Sequence, residues 1–295
     1  MICCAPVAAL AQTPSMHALE VAGVTIHLEL DEREMNGDPA RIQRWIGRSA
    51  RIVAAYYGRF PVRDLAMVVV PASGERITGG TTFGQPRALI RVRVGRDVSE
   101  SSLLDDWVLV HEMTHLALPD VGPAHAWLSE GLATYVEGIA RVQAHNRAET
   151  DVWAEDVRSM PHGLPQPGDA GLDHTHTWGR TYWGGALFCL LADIEIHQRT
   201  GNRLGLQDAL RAVLAASGGL PADWPVARVF EVGDRAVGTP VLEELYAQMN
   251  DRPVMTDLPA LWMRLGVEPE GASVRLRDDA PLAAVRLAIM RPRTS

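Results

Sequence analysis

The sequence predicts an α+β fold, in which a small mixed-sheet lobe is followed by a mainly helical lobe. In the N-terminal third, polar and apolar residues alternate over short runs, which is typical of half-buried strands. After about residue 100, apolar residues recur at the spacing of amphipathic helices. The motif HEMTH, residues 111–115, lies in one of these helical segments, so its two histidines are one helical turn apart.

The composition indicates a globular chain and argues against two classes of partner. Hydrophobic residues make up 47% of the 295 positions and charged residues 22%, which is enough apolar material for a sizeable core. The formal net charge is -8, from 28 basic and 36 acidic residues. Because this balance provides no basic surface, we expect no nucleic-acid partner and no anionic membrane partner.

Residues 1–11 resemble the end of a signal peptide, because they are small and apolar and finish in Ala9-Leu10-Ala11. This small-x-small pattern is that of a signal-peptidase site, and it predicts export to the periplasm or secretion. A basic leading region is missing, so we expect these residues to be the remnant of a longer signal peptide. The alternative is a disordered or packed N-terminus of a cytoplasmic protein. The stretch is too short to span a bilayer, and we expect no transmembrane helix.

The predicted N-terminal α/β lobe comprises residues 12–96. Its expected strands cover residues 21–30, 64–70 and 87–94. Between the first two strands we expect a helix over 38–57, opened by Asp38-Pro39. Polar and apolar residues alternate in the third strand, so we expect it at the sheet edge with one face in water. A glycine-rich bend over 73–80 precedes it.

The predicted helical lobe, residues 97–250, begins with two consecutive helices. Ser102 and Asp105 form an S-x-x-D capping pattern, which predicts one helix that carries HEMTH and ends before Pro119. Apolar residues at helical spacing predict the second helix over 126–145.

The remainder of the chain is predicted with less detail. Residues 146–179 predict a long loop, which in a compact domain is usually functional or disordered. Residues 251–295 form a C-terminal extension, in which 274–276 and 284–287 are expected to pair as a hairpin. Further helices are predicted over 180–200, 206–216 and 239–249.

HExxH is the pattern that zinc peptidases carry on a helix. Because His111 and His115 share one helix face, both imidazoles can reach one metal ion, and Glu112 lies beside them as a candidate general base. A catalytic zinc takes three protein ligands and keeps one position open. Glu130 is the candidate third ligand, since residues 116–129 allow the chain to turn and return as a second helix.

His125 is the rival third ligand. It lies ten positions after His115, whereas the metzincin pattern places its third histidine six positions after, where this chain has Val121. The spacing therefore favours Glu130.

Two further blocks resemble a known group. WLSEGLATY, residues 127–135, resembles the W-x-x-E-G-x-A/T-x-Y signature of gluzincin peptidases, and with HEMTH it resembles the catalytic domain of the glycyl aminopeptidase family. YWGGAL, residues 182–187, and the segment after it resemble the Tyr-x-x-Gly helix of that family. The resemblance covers about residues 103–214.

The resemblance implies a thermolysin-like zincin fold with an active-site edge strand, and zinc-dependent hydrolysis of peptide or protein substrates. It implies one Zn²⁺ per chain, with His111, His115 and Glu130 as the ligands. Glu112 would deprotonate the attacking water and pass the proton to the leaving amine. Tyr182 would donate a hydrogen bond to the oxyanion of the tetrahedral intermediate, with a plain core tyrosine as the alternative.

The resemblance has one departure, which concerns substrate binding. The glycine-and-acid motif with which the related aminopeptidase N group holds a free substrate amine is not recognisable in residues 79–84, GGTTFG. An extended peptide could instead add to the sheet edge over 81–93, a mode that needs no N-terminal anchor. Two rival functions remain: a zincin-fold binding or scaffold protein without turnover, which the presence of Glu112 disfavours, and a zinc hydrolase acting on a non-peptide bond.

Four other residues carry reactive side chains. Cys189 lies in an apolar helix, which favours a buried small hydrophobe over a nucleophile. His174 and His176 are expected to be solvated, with contact to substrate as the alternative. Asp193 lies about three helical turns after Tyr182, and we interpret it as a satisfied core carboxylate rather than a support for a zinc ligand.

Overall fold

The computed structural model describes residues 15–293, and the predicted signal-peptide remnant lies outside them. Five strands form a mixed sheet in the order β1-β2-β3-β5-β4, parallel in its centre and antiparallel at both ends. The α+β prediction is confirmed. The strands are β1 (Ser15–Val21), β2 (Val24–Leu30), β3 (Asp64–Ala72), β4 (Ile77–Phe83) and β5 (Leu89–Gly95).

The first helix, α1 (Ala40–Tyr57), follows the predicted start and end closely. The carboxylate of Asp38 accepts a hydrogen bond from the backbone N–H of Ala40 at 3.0 Å. Gly58 ends the helix with a φ of 79°, a conformation that glycine adopts without strain. Its apolar face, which includes Trp45, is buried in the core.

The strand predicted over 21–30 corresponds to β2, and β1, which precedes it in a hairpin, was not predicted. β1 and β2 pair antiparallel around Ala22 and Gly23, whose φ angles of 51° and 78° are both positive. Tight hairpin turns need such angles, but Ala-Gly is not among the pairs that mark them in a sequence. The local pattern therefore does not indicate the turn, and the predicted strand begins three residues before β2.

The predicted edge position of the 87–94 strand is wrong. β5 pairs with β3 on one side and β4 on the other, so it lies inside the sheet. Its alternation arises because Ile90 and Val92 face the core while Arg91 and Arg93 are exposed on the opposite sheet face. Alternation of polar and apolar residues shows that one face of the strand is exposed to solvent, but it does not show that the strand lies at the sheet edge. The edge strand on that side of the sheet is β4, which begins within the segment predicted as a glycine-rich bend.

The single helix predicted from Ser102 is two helices. Ser99 caps the first by accepting from the N–H of Ser102 at 3.0 Å. The chain then breaks at Asp106, whose carboxylate accepts from the N–H groups of Val108 and Leu109 at 3.1 and 3.0 Å and from the indole of Trp45 at 3.1 Å. Asp106 thus starts the eight-residue helix that carries HEMTH.

The helical lobe also contains elements that the sequence pattern did not indicate. Residues 146–179 are not a continuous loop, because they include α5, and α8 was not predicted. The helices are α2 (Glu100–Asp105), α3 (Val108–His115), α4 (Ala126–Gln143), α5 (Glu149–Ser159), α6 (Gly185–Thr200), α7 (Leu206–Ser217), α8 (Val226–Val237) and α9 (Val241–Met249).

Helices α4 and α6 cross at two glycines. A Cβ on Gly131 would lie 2.2 Å from the backbone of Gly185, and one on Gly185 would lie 2.0 Å from the carbonyl oxygen of Trp127. Only glycine allows this approach, which brings the start of α6 against the first turns of α4. Within residues 15–293, no helix combines the length and the apolar character needed to cross a membrane.

The C-terminal segment differs from the predicted hairpin. It consists of α10 (Leu258–Leu265), β6 (Val267–Glu270), β7 (Ser273–Leu276) and α11 (Ala283–Met290). β7 pairs with β6, whereas the residues predicted as its partner lie inside α11. A short apolar run does not distinguish a strand from a buried helix, which explains the error.

Candidate metal centre and active-site cleft

Helices α3 and α4 bring three candidate ligands together. The Nε2 atom of His111 lies 3.2 Å from Oε2 of Glu130, and Nε2 of His115 lies 3.5 Å from the same oxygen. Ligand atoms of the three residues all lie within 4.8 Å of one another. The two histidines are one helical turn apart on α3, and Glu130 lies in the second turn of α4.

The spacing of these donors fits zinc. Bonds of about 2.0–2.1 Å at tetrahedral angles place neighbouring donor atoms about 3.3 Å apart. The His111–Glu130 and His115–Glu130 separations of 3.2 and 3.5 Å bracket that value. Two imidazoles and one carboxylate are also a donor set that catalytic zinc sites use, with a fourth position open.

The surroundings of the two imidazoles differ. The Nδ1 atom of His115 lies 3.0 Å from the hydroxyl of Ser129, a contact that fixes the ring orientation. The Nδ1 atom of His111 is buried and has no hydrogen-bond partner among residues 15–293. The ring of His111 instead packs edge-on against Trp107, with ring centroids 5.6 Å apart.

Glu130 is ionised in this environment. Burial opposes its charge, but the hydrogen-bonding contacts of His111 and His115 outweigh burial and hold the pKa of Glu130 well below its ordinary value. A charged carboxylate is the form that binds a metal ion.

The edge strand β4 holds Glu112. The hydroxyl of Thr82 lies 2.6 Å from Oε2 of Glu112 and 2.9 Å from its backbone oxygen, and Glu112 is buried. A Cβ on Gly80 would lie 2.4 Å from Cγ of Glu112, so only glycine leaves room for this carboxylate. Two residues of one strand therefore determine where the Glu112 side chain lies.

Tyr182 reaches the site from a π-helical turn, Arg180–Gly184, which leads into α6. The turn is anchored by Arg180, whose Nε lies 2.7 Å from the Asp169 carboxylate, a side chain that is 1% exposed. The Tyr182 ring stacks on His111, with centroids 6.3 Å apart and planes at 18°. Burial, together with the nearby carboxylates of Glu130 and Glu112, raises the pKa of Tyr182 to about 12, so its phenol keeps its proton.

These residues line one cleft of about 420 Å³. Strand β4, the metal-ligand set, Glu112 and Tyr182 all line it. The lining residues are Gly79, Gly80, Thr81, Thr82, Trp107, Val108, His111, Glu112, His115, Ser129, Glu130, Tyr182 and Leu220. The arrangement provides a general base, a hydrogen-bond donor and three metal donors around one open volume.

The rival ligand His125 lies elsewhere. Its Nδ1 lies 3.0 Å from the carbonyl oxygen of Val121, and its Nε2 lies 3.7 Å from the carboxylate of Asp173. His174 and His176 are exposed and are not among the cleft-lining residues. None of the three histidines belongs to the donor cluster found in residues 15–293.

Two residues with reactive side chains are part of the core, as predicted. The carboxylate of Asp193 accepts hydrogen bonds from the hydroxyl of Tyr135 at 2.9 Å and the N–H of Leu206 at 2.7 Å. Cys189 is buried, and burial raises the pKa of its thiol well above the ordinary value, which keeps it unreactive.

Four residues of the site were not predicted from the sequence: Thr82, Gly80, Ser129 and Trp107. Ser129 and Trp107 adjoin the motifs, so their proximity to the site could have been noticed. Thr82 and Gly80 are 30 or more positions from Glu112, and no local pattern connects them to it.

Solved structures of zinc metallopeptidases have similar folds. An aminopeptidase N family protein from Idiomarina loihiensis has a TM-score of 0.63 at 14% identity, over 86% of this chain and 49% of that chain. An M1 zinc metallopeptidase from Deinococcus radiodurans has a TM-score of 0.51 at 13% identity, over 83% of this chain and 52% of that chain. A mutant from the same organism, bound to a Tyr-Ser-Ala substrate, gives 0.50 at 13% identity, over 83% and 53%.

This chain spans about half the length of those structures. No protein-family model matches the sequence, and a search of curated proteins gives no match. At this level of identity the likeness shows the fold alone, which is similar to that of the M1 zinc metallopeptidase structures. The roles of individual residues depend on the geometry of the site.

Proposed function

We propose that this protein is a zinc-dependent peptidase. The observation that carries the proposal is the convergence of His111, His115 and Glu130 in a cleft that also contains Glu112 and Tyr182. The folds of M1 zinc metallopeptidases, one of them solved with a bound tripeptide substrate, support a peptide as the substrate class.

His111, His115 and Glu130 would hold one zinc ion, which when bound acidifies water and polarises a carbonyl group. Glu112 accepts the proton of the attacking water and delivers it to the leaving amine. Thr82 keeps the Glu112 carboxylate turned into the cleft through their 2.6 Å contact. Tyr182, protonated because its pKa is about 12, donates a hydrogen bond to the carbonyl oxygen as negative charge develops there.

Strand β4 supplies a binding surface for the peptide backbone. It pairs with β5 on one side, and no other described strand pairs with its second side. An extended substrate can add to that free edge through main-chain hydrogen bonds, which would place a peptide bond in front of Glu112. Such binding does not depend on a free substrate amine.

The closer resemblance, to the glycyl aminopeptidase catalytic domain, is supported by the HEMTH, WLSEGLATY and YWGGAL blocks, all of which contribute to the site. The pattern of residues 1–11 supports a further proposal, that the protein is exported. A scaffold without turnover would have no need of a buried Glu112 aimed at the donor cluster by Thr82. A zinc hydrolase of non-peptide bonds remains the second candidate.

Incubation of the zinc-loaded protein with a mixed peptide library, read by mass spectrometry, tests the proposal. We expect cleavage at defined bonds and no cleavage by a zinc-loaded Glu112→Gln variant. Intact peptides, together with hydrolysis of ester or amide substrates that lack a peptide bond, would favour the second candidate. An active Glu112→Gln variant would contradict the assigned general base.

A further inference from the structure

A second cavity of about 440 Å³ adjoins the metal cleft. Trp107, His111 and Tyr182 line both cavities, so the second opens directly beside the metal-ligand set. If the cleft binds a peptide, as proposed above, a side chain next to the scissile bond lies at the entrance to this cavity. The following inference rests on that proposed function.

The entrance and walls of the second cavity are largely aromatic and apolar. Trp178 is exposed beside Tyr182, with ring centroids 6.1 Å apart. Val152 from α5 and Trp183 from the π-helical turn extend the apolar surface inward. Such walls suit the methylene groups of a long side chain, and indole faces also attract cations.

The interior is acidic. Glu137, Glu155 and Asp156 line the cavity, and Arg147 is the guanidinium that lines it with them. Arg147 is committed to Glu155, with Nη2 2.7 Å from its carboxylate, and lies 3.8 Å from Glu137. Three acidic side chains thus face one guanidinium that already has a close partner. Burial raises the pKa of Glu137 to about 7 and that of Asp156 well above its ordinary value, and a cationic group in the cavity would stabilise their ionised forms.

The side chain of Glu137 indicates that a ligand with a hydrogen-bond donor binds in this cavity. It is 6% exposed, and among residues 15–293 its Oε2 has no hydrogen-bond partner. Arg141 lies 3.7 Å from that oxygen but does not line the cavity, and its Nε and Nη2 are engaged by Asn146 and the backbone of Asp105. A buried carboxylate oxygen without a donor is costly, and a donor from a ligand would remove that cost.

We propose that this cavity is a specificity pocket for a lysine or arginine side chain of the peptide, next to the bond that is cleaved. The methylene groups pack on the tryptophans and Val152, and the cationic head donates hydrogen bonds to Glu137 and Asp156. A neutral aromatic side chain would fill the same walls but leave the Glu137 oxygen unpaired. The net charge of -8 also favours the approach of cationic peptides.

Matched peptides test the pocket in the zinc-loaded native protein. Quenched peptides carry arginine or its neutral analogue citrulline, and lysine or norleucine, at each of the two positions that flank the cleaved bond. We expect kcat/KM to be at least about tenfold higher for the charged member at one of the two positions. Equal values, or a preference for citrulline and norleucine at both positions, would overturn the proposal.

Variants test whether Glu137 and Asp156 cause the preference for a charged side chain. In Glu137→Gln and Asp156→Asn, which are nearly isosteric, we expect the arginine-to-citrulline ratio of kcat/KM to fall toward one. Glu231→Gln, an exposed acid on α8 paired with Arg235, should keep the native ratio. If Glu137→Gln fails to fold, Asp156→Asn still decides the question, because an arginine-to-citrulline ratio that stays at the native value in Asp156→Asn would overturn the pocket.

A binding measurement separates this inference from the peptidase proposal. Calorimetry with the zinc-loaded Glu112→Gln variant compares the arginine and citrulline peptides without turnover. Tighter binding of the arginine peptide supports the pocket even where the native protein cleaves neither peptide, a result that would contradict the proposed hydrolysis alone. Equal affinity would overturn the pocket and leave the peptidase proposal standing.

Discussion

The hydroxyl of Thr82 lies 2.6 Å from the carboxylate of Glu112, so a strand of the sheet lobe orients the proposed general base on a helix of the other lobe. We expect Thr82→Val, which keeps the shape and removes the donor, to lower kcat by about ten- to a hundredfold, the effect of one hydrogen bond to a charged group. Thr82→Ser retains a hydroxyl and should recover most of the activity. Steady-state kinetics and zinc content check this, and a Thr82→Val enzyme with native kcat would remove Thr82 from the mechanism.

Gly80 leaves the space that Glu112 occupies. In Gly80→Ala the new Cβ would lie 2.4 Å from Cγ of Glu112, so the carboxylate or the strand must shift. We expect kcat/KM to fall by more than about tenfold while zinc remains bound. Gly47→Ala on α1 is the control, since its Cβ would be 3.6 Å from its nearest neighbour and alanine favours a helix. Native activity in Gly80→Ala would contradict the assigned position of Glu112.

Tyr182 is expected to act on the transition state. Tyr182→Phe should lower kcat by about 10²- to 10³-fold with little change in KM, as for the loss of one oxyanion donor. Tyr57→Phe is a matched control, because the buried hydroxyl of Tyr57 has no partner among the described residues. An increase in KM at constant kcat would show that Tyr182 binds substrate and does not stabilise the oxyanion.

Glu137 makes stability depend on pH. Burial raises its pKa from 4.5 to about 7, outweighing the opposite effect of Arg141 and Arg147, with Glu155 and Asp106 adding to the increase. Because the folded pKa lies above the unfolded one, the folded state holds the proton more tightly. The free energy of unfolding should therefore fall, by up to about 3 kcal/mol from this group, as pH rises from 4.5 to 7.

Urea unfolding of the zinc-loaded protein across that pH range measures this dependence. Glu137→Gln should show a smaller decrease than the native protein, since the glutamine does not titrate. Glu231→Gln, an exposed acid, should follow the native curve. Parallel curves for the native protein and Glu137→Gln would contradict the raised pKa.

The sequence predicted those parts of the site that depend on local spacing. His111 and His115 meet because four residues make about one helical turn, and Glu130 joins them because the next helix returns alongside the first. The contributions of Thr82 and Gly80 depend on which strand ends at the sheet edge. The sequence pattern predicted β5 at the edge instead of β4, because alternation of polar and apolar residues indicates which face of a strand is exposed but not the order of strands in the sheet.

The fold was predicted where periodicity extends over many residues, as in α1, α4 and α6. The fold was not predicted correctly where a few residues decide where a helix begins or where the chain turns. Asp106 restarts a helix, and Ala22 with Gly23 reverses a strand, yet each leaves the surrounding apolar pattern almost unchanged. The second cavity depends on α5, whose polar composition gave no clear helical signal.

Zinc content, measured by plasma mass spectrometry on the purified protein after equilibration with zinc and dialysis, tests the central claim most directly. We predict about one zinc ion per chain in the native protein and in Glu112→Gln, and a large loss in Glu130→Gln, since zinc needs its third protein ligand. A native protein that retains no zinc, or a Glu130→Gln variant that retains all of it, would contradict a metal centre formed by His111, His115 and Glu130.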